Sequence, residues 1–212
     1  MVAKIDLIKQ YFPDLTSVQM EQFAALVPLY EEWNAQINVI SRKDIENLVV
    51  RHILHSLMIP KFVTFKDGAR ILDLGCGGGF PGIPLAIYYP GVTFDLIDAR
   101  SKKIIVVNAV KDALNLTNVK AMHGRAEELK TRYDFVVTRA VAKVEKLVLW
   151  SRKLIEQKQV HSVPNGIIAL KGGNLKEELS VLPKWEYYEL HPATKYFKEE
   201  FFEEKNLLYI QG

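Results

Sequence analysis

Hydrophobic residues follow two different rhythms along this chain. As far as about residue 66 they recur near helical spacing. Val18, Phe23, Leu26, Leu29, Tyr30 and Trp33 would share one helix face, with Thr16 or Ser17 as a hydroxyl N-cap. A second helical stretch is predicted from about Asp44 to Met58, closing before Pro60, whose ring and missing N–H oppose continuation. From Ala69 onward, short apolar runs alternate with longer amphipathic ones. Ala69–Leu74, Val92–Asp98, Val119–His123, Asp134–Thr138 and Gly166–Leu170 read as strands, and Ile83–Tyr89, Lys102–Leu114, Val144–Ile155 and Leu175–Leu182 as helices. Such alternation predicts a parallel sheet with helices on both faces. Trp185–Leu190 and Leu207–Gln211 read as two late strands joined by a charged loop, so an antiparallel edge hairpin is expected; Gln157–Asn165 reads as a loop. The predicted fold is α/β: a Rossmann-like, mostly parallel, doubly wound sheet over residues 67–212, with an antiparallel edge hairpin and a helical N-terminal extension over residues 1–66.

Composition narrows the setting. The 212 residues are 49% hydrophobic, enough for one buried core and too apolar for a disordered chain. No apolar run approaches the roughly 18 residues that span a bilayer, and the segment Met1-Val2-Ala3-Lys4-Ile5-Asp6 has no signal-peptide core. Cys76 is the single cysteine, which excludes an internal disulfide and fits a reducing cytoplasm. Net charge is only +3, but from Arg100 to Lys158 fourteen Lys and Arg face six Asp and Glu. Two readings stand for that basic middle: a nucleic-acid contact, or an ordinary solvated surface.

The densest chemistry lies between the first strand and the helix after it: Asp73-Leu74-Gly75-Cys76-Gly77-Gly78-Gly79-Phe80-Pro81-Gly82-Ile83-Pro84. Gly75, Gly77 and Gly79 permit a sharp turn and leave no Cβ between backbone and ligand. The helix start offers free N–H groups, and Pro84 suits its first turn. Gly77-x-Gly79-x-x-Gly82 formally matches a dinucleotide fingerprint, with Asp98 sixteen residues beyond as a ribose acceptor. Asp73 favours another ligand. A carboxylate at this strand end would repel a pyrophosphate, yet it suits the cationic methionine end of S-adenosylmethionine, which carries no phosphate. A purely structural glycine turn is the third reading. Asp98 closes the second strand, where it can accept from ribose hydroxyls or cap the helix that follows, a role Ser101 can also fill.

With these residues in view, Asp73 through Ala86 resembles the donor loop of the guanine-N7 methyltransferases of small-subunit ribosomal RNA, a family also called glucose-inhibited division protein B. Its Pro-Gly-Ile-Pro ending is unusual among methyltransferases. Asn38-Val39-Ile40-Ser41, Arg51-His52-x-x-x-Ser56, Arg125-Ala126-Glu127-Glu128, Arg139-Ala140 and Lys171-Gly172 match further family segments, from about residue 20 to the end. The resemblance implies a class I methyltransferase fold, S-adenosylmethionine as donor, and a guanine N7 of small-subunit (16S) ribosomal RNA, free or in the 30S particle, as acceptor. It places the donor against Asp73, Gly75, Gly77, Phe80, Asp98, Ala99, Arg100, Ala126 and Glu127, with Arg139 at the pocket floor as a positioning residue. Asn38, His52, Lys102, Lys103, Lys143, Lys146 and Lys171 are the RNA-contact candidates. Cys76 departs from the family's small hydroxyl residue, and Tyr209-Ile210-Gln211-Gly212 lacks its closing lysine.

Guanine N7 carries an exposed lone pair, so no proton need be removed before attack and catalysis reduces to alignment and electrostatics. The residues agree with this. No Ser–His–acid or Cys–His arrangement has identifiable spacing, and His52, His55, His123, His161 and His191 show no metal-ligand spacing. His52 and His55 are read as packed or RNA-facing rather than as a base. The expectation is a monomeric, metal-free enzyme. The alternatives are a small-molecule S-adenosylmethionine-dependent methyltransferase, a nicotinamide dehydrogenase and a non-catalytic RNA-binding module.

Overall fold

The computed structural model describes residues 2–41 and 44–212, with side chains from Ile5 onward. Strands are β1 (Arg70–Leu74), β2 (Thr93–Asp98), β3 (Val119–His123), β4 (Phe135–Arg139), β5 (Gly166–Gly172), β6 (Tyr188–Pro192) and β7 (Lys205–Gln211). They form one sheet of order β3-β2-β1-β4-β5-β7-β6. β1 to β5 pair in parallel, and β7 is antiparallel to both β5 and β6. The predicted edge hairpin is therefore present, with β7 inserted next to β5. The helices are α1 (Val2–Tyr11), α2 (Ser17–Gln36), α3 (Met58–Phe62), α4 (Gly82–Tyr88), α5 (Ser101–Ala113), α6 (Val144–Ser151) and α7 (Lys176–Ser180). No helix among the described residues is long and apolar enough to cross a membrane.

Strands buried on both faces explain why they read as apolar runs. Ile71, Phe94, Phe135 and Tyr209 join one buried cluster with Phe23, Leu26 and Tyr30 of α2 and Ile53 and Leu57 after it. Leu72, Leu74, Ile97, Val136 and Leu208 join a second cluster with Leu147 of α6 and Leu154. Residues before 67 thus share a core with the sheet.

Several expectations are corrected. Of the two expected caps of α2, Thr16 is the one used: its hydroxyl accepts from the Gln19 N–H at 3.2 Å, while the Gln19 side chain accepts from the Thr16 N–H at 3.0 Å. Val18 is 60% exposed and lies off the buried stripe. The helix expected over Asp44–Met58 is a 3₁₀ turn at Ile45–Asn47, a π-helix at Val49–Leu54 and then α3. α3 contains Pro60 in its first turn, where the missing N–H is not needed. Burial runs unbroken from Ile53 to Ile59, so no amphipathic period marks this segment. Trp185 is 73% exposed, and β6 begins only at Tyr188. α6 ends at Ser151 and continues as a 3₁₀ turn, Arg152–Leu154, while α7 is only Lys176–Ser180.

Candidate active site

A cavity of about 700 Å³ opens at the carboxyl ends of β1, β2, β4 and β5, the usual ligand position in an open α/β sheet. Gly75, Gly77 and Gly79 all take positive φ, and the N–H groups of Gly75 and Cys76 both reach the Ile97 carbonyl, at 2.8 and 3.0 Å. The loop is boxed in. A Cβ at Gly75 would fall 2.6 Å from Val141 Cγ2, and one at Gly78 2.9 Å from Val39 Cβ. The fully buried Tyr30 hydroxyl donates to the Gly78 carbonyl at 2.5 Å. Cys76 is buried, and desolvation raises its thiol well above the ordinary value, which leaves it a small protonated filler.

Asp98 links the loop to the second strand. One carboxylate oxygen accepts from the Gly77 N–H at 2.9 Å and the other from the Arg100 N–H at 2.8 Å. α5 has no side-chain cap bond, so Ser101 does not take the capping role expected of it. Asp98, Gly75 and Val141 also line a second, smaller cavity of about 150 Å³. Its other walls include Ile97, Ala99, Ala126 and Trp150, with Glu127 at the rim. A mostly apolar slot bordered by the carboxylates of Asp98 and Glu127 suits a flat heteroaromatic ring bearing an amino group.

Asp73 requires a correction. It is fully buried and lines neither cavity; one oxygen accepts from the Gly82 N–H at 2.7 Å and the other has no partner. Desolvation raises its pKa to about 7. The carboxyl braces the start of α4 from behind the loop. Lys171 lines the large cavity, but its ammonium is already engaged. Its ammonium donates to the Ala142 carbonyl and the Glu178 carboxylate, both at 2.7 Å, so the charge expected for RNA is paired within the fold.

Arg139 does reach the cavity floor, and its partners lie in the N-terminal layer. Its guanidinium donates to His52 Nδ1 at 2.9 Å and to the Arg51 carbonyl at 3.2 Å, and stands 5.2 Å from the Phe80 ring centre. Burial, and then the Arg139 charge, depress His52 to about pKa 3, so its imidazole is neutral at physiological pH. Desolvation also lowers Arg139, to about 10, and it stays cationic. Phe80 packs between Tyr30 and His52, with ring centres 4.8 and 5.1 Å away.

Arg100 and the half-buried Lys103 line the large cavity. Lys102, Lys143 and Lys146 are exposed outside it, as is Asn38, whose neighbour Val39 does line it. The expectations missed Tyr30, Asp44, Arg51, Val141, Trp150, Phe201 and Lys205. In the sequence Tyr30 is legible only as part of a helix stripe. Among the described residues no group of His, Cys, Asp and Glu could hold a metal ion.

Comparison with known proteins agrees with this geometry. Residues 19–206 match the family model described as rRNA small subunit methyltransferase G. Proteins of that name from Bacteroides thetaiotaomicron and Flavobacterium johnsoniae are each 50% identical to the chain, with alignments covering 98% and 97% of it and 100% and 97% of theirs. Among solved structures, Aeropyrum pernix fibrillarin in complex with natively bound S-adenosyl-L-methionine superposes with a TM-score of 0.55 at 14% identity, covering 76% of this chain and 74% of that one. A SAM dependent methyltransferase from Aquifex aeolicus gives 0.52 at 14% identity, covering 74% and 88%. These two likenesses establish the class I methyltransferase fold, and the sequence matches establish membership: the chain belongs to the rRNA small subunit methyltransferase G family.

Proposed function

We propose that this chain transfers a methyl group from S-adenosylmethionine to N7 of a guanine in small-subunit ribosomal RNA, free or within the 30S particle. The observation that carries the reading is the large cavity. It joins the glycine loop and Asp98 to a cationic wall of Arg51, Arg139 and Lys205, and the imidazole on that wall, His52, is uncharged.

The residues present fit the donor. The small apolar slot by Ile97, Ala126 and Trp150 would take the adenine, with Glu127 accepting from its amino group. Asp98 keeps lone pairs for the ribose beyond its two backbone bonds. The glycine loop and Phe80 would flank the methionine portion. S-adenosylmethionine supplies a methyl on a cationic sulfur, and transfer to N7 moves that charge onto the purine, so the net charge of the cavity is unchanged. The protein then needs alignment rather than a new counter-charge. Arg139 is the positioning residue: from the floor it can donate to guanine O6, beside N7. His52 holds Arg139 and takes no proton. Lys102, Lys103, Lys143 and Lys146 would meet phosphates near the mouth. Residues 1–66 act as a supporting helical layer for the methyltransferase domain, 67–212. This reading takes the enzyme as a monomer, and a ribosomal substrate implies work in the cytoplasm.

The test is transfer of tritium from labelled donor to deproteinised small-subunit RNA, to 30S particles and to a metabolite extract, followed by borohydride and aniline cleavage of the RNA. Label in RNA with strand scission at one guanine supports the reading. Label confined to small molecules refutes it in favour of a small-molecule methyltransferase.

A further inference from the structure

The acceptor half of the large cavity contains an aromatic ring with no role in donor binding. Phe201 lies in a 3₁₀ turn, Glu200–Phe202, just before β7, and its half-buried ring lines the cavity. Two cations flank it: Lys205 Nζ lies 4.9 Å and Arg51 Cζ 5.6 Å from the ring centre. Phe202 and His55 hold the ring edge-on, with centres 5.2 and 5.5 Å away, so its orientation is fixed by packing. The other aromatic wall residue, Phe80, is 2% exposed and covered by Tyr30 and His52.

Arg51 is also ion-paired with Asp44 on the same cavity wall. A packed, half-exposed ring flanked by cations is a side-chain set that binds an unstacked nucleotide: the ring stacks on the base, and the cations reach its phosphates. The surroundings give it direction. Glu200, Glu203 and Glu204 share a neighbouring cavity with Arg51, Phe201 and Lys205, whereas none of the three lines the large one, so a phosphate backbone is repelled on their side and admitted on the large-cavity side. We propose that Phe201, with Arg51 and Lys205, is the seat of the target nucleotide: the guanine stacks on the Phe201 ring and its flanking phosphates pair with the two cations. This deepens the rRNA reading and rests on it.

The test compares wild type with Phe201→Leu, Phe201→Trp and Lys205→Gln, all checked for folding by circular dichroism. Steady-state methylation of the RNA and calorimetric binding of S-adenosylmethionine are measured for each. Phe201→Leu keeps apolar volume and removes the flat ring, so the KM for RNA should rise roughly tenfold to a hundredfold while the Kd for the donor stays at the wild-type value. Phe201→Trp restores a flat ring, so its KM for RNA should lie closer to wild type than that of Phe201→Leu, and its added fluorescence should be quenched when RNA binds, above the signal of the native tryptophans. Lys205→Gln should reduce the salt slope of RNA binding by about one. A Phe201→Leu enzyme with wild-type KM for an RNA that wild type does methylate overturns the seat and leaves the function intact. A wild type that binds donor and methylates no RNA overturns the functional reading, and the seat with it.

Discussion

Removing one oxygen atom from Tyr30 shows whether the helical layer serves the donor loop. The hydroxyl is fully buried and donates to the Gly78 carbonyl at 2.5 Å. Burial raises the phenol far above its ordinary pKa, so it remains a donor at any working pH. Tyr30→Phe keeps the ring against Phe80, at 4.8 Å between centres, and isolates the hydrogen bond. A buried carbonyl left without its donor costs about 1–3 kcal/mol. The loop can recover part of that by shifting toward water, but a shifted loop does not fit the donor, and affinity falls by the fraction of molecules still competent. A value of about 1.5 kcal/mol, in the lower half of that range because the loop recovers part of the loss, gives roughly tenfold weaker S-adenosylmethionine binding, with a similar or smaller loss of unfolding free energy. Calorimetry with the donor and urea unfolding read the two quantities, and RNA affinity without donor should not change. Wild-type donor affinity together with wild-type stability would refute the reasoning, because the carbonyl would then have no need of the hydroxyl.

Three further outcomes are expected. Asp98→Ala removes the acceptor for the Gly77 and Arg100 N–H groups, so donor affinity should drop by about 1–3 kcal/mol by calorimetry with the circular dichroism spectrum intact. His52, at about pKa 3, stays neutral above pH 6; single-turnover methylation should be flat from about pH 6 to pH 9, His52→Ala should lower the rate without changing that shape, and Arg139→Ala should lower it further, whereas a tenfold rise per pH unit that His52→Ala abolishes would make His52 a base. Asp73, raised to about 7, binds its proton more tightly folded than unfolded, so its contribution to stability declines as pH rises from about 4 to about 7; Asp73→Asn should flatten the urea-unfolding profile in that window, and a slope unchanged by the substitution would mean the carboxyl is ionised throughout.

The alternating half of the fold was readable because parallel strands covered on both faces become short apolar runs, and the glycine loop was readable because positive φ at Gly75, Gly77 and Gly79 leaves a compositional mark. What escaped was set by direction and distance in space. Asp73 stands at a strand end, but alternation along β1 turns it with Ile71 toward the face that α4 covers, and strand position alone did not say which face would be open. Lys171 looked like a free charge because its partner, Glu178, sits on a short helix after the strand. Arg51, Phe201 and Lys205 meet only through the tertiary fold and share no local motif. The segment from Ile53 to Ile59 had no period to read, because every side of it is buried.

The placement of Arg139 shows why the N-terminal layer cannot be an accessory. A guanidinium deep in a cavity is costly unless its N–H groups find acceptors. Here the acceptors are the Arg51 carbonyl and the neutral His52 ring, both from the segment between α2 and α3. Neither acceptor cancels the charge, so the layer satisfies the hydrogen bonds of Arg139 while leaving its positive field directed into the cavity. A carboxylate in the same place would have satisfied the bonds and neutralised the field. The depressed pKa of His52 belongs to the same arrangement: a protonated imidazole could not accept from Arg139, so the burial that keeps the ring neutral also keeps the cation in place. Tyr30 and Val39 hold the glycine loop from that side as well. The glycine loop and the cavity floor are therefore positioned by one helical layer, and a chain cut at residue 67 should lose the geometry of both together.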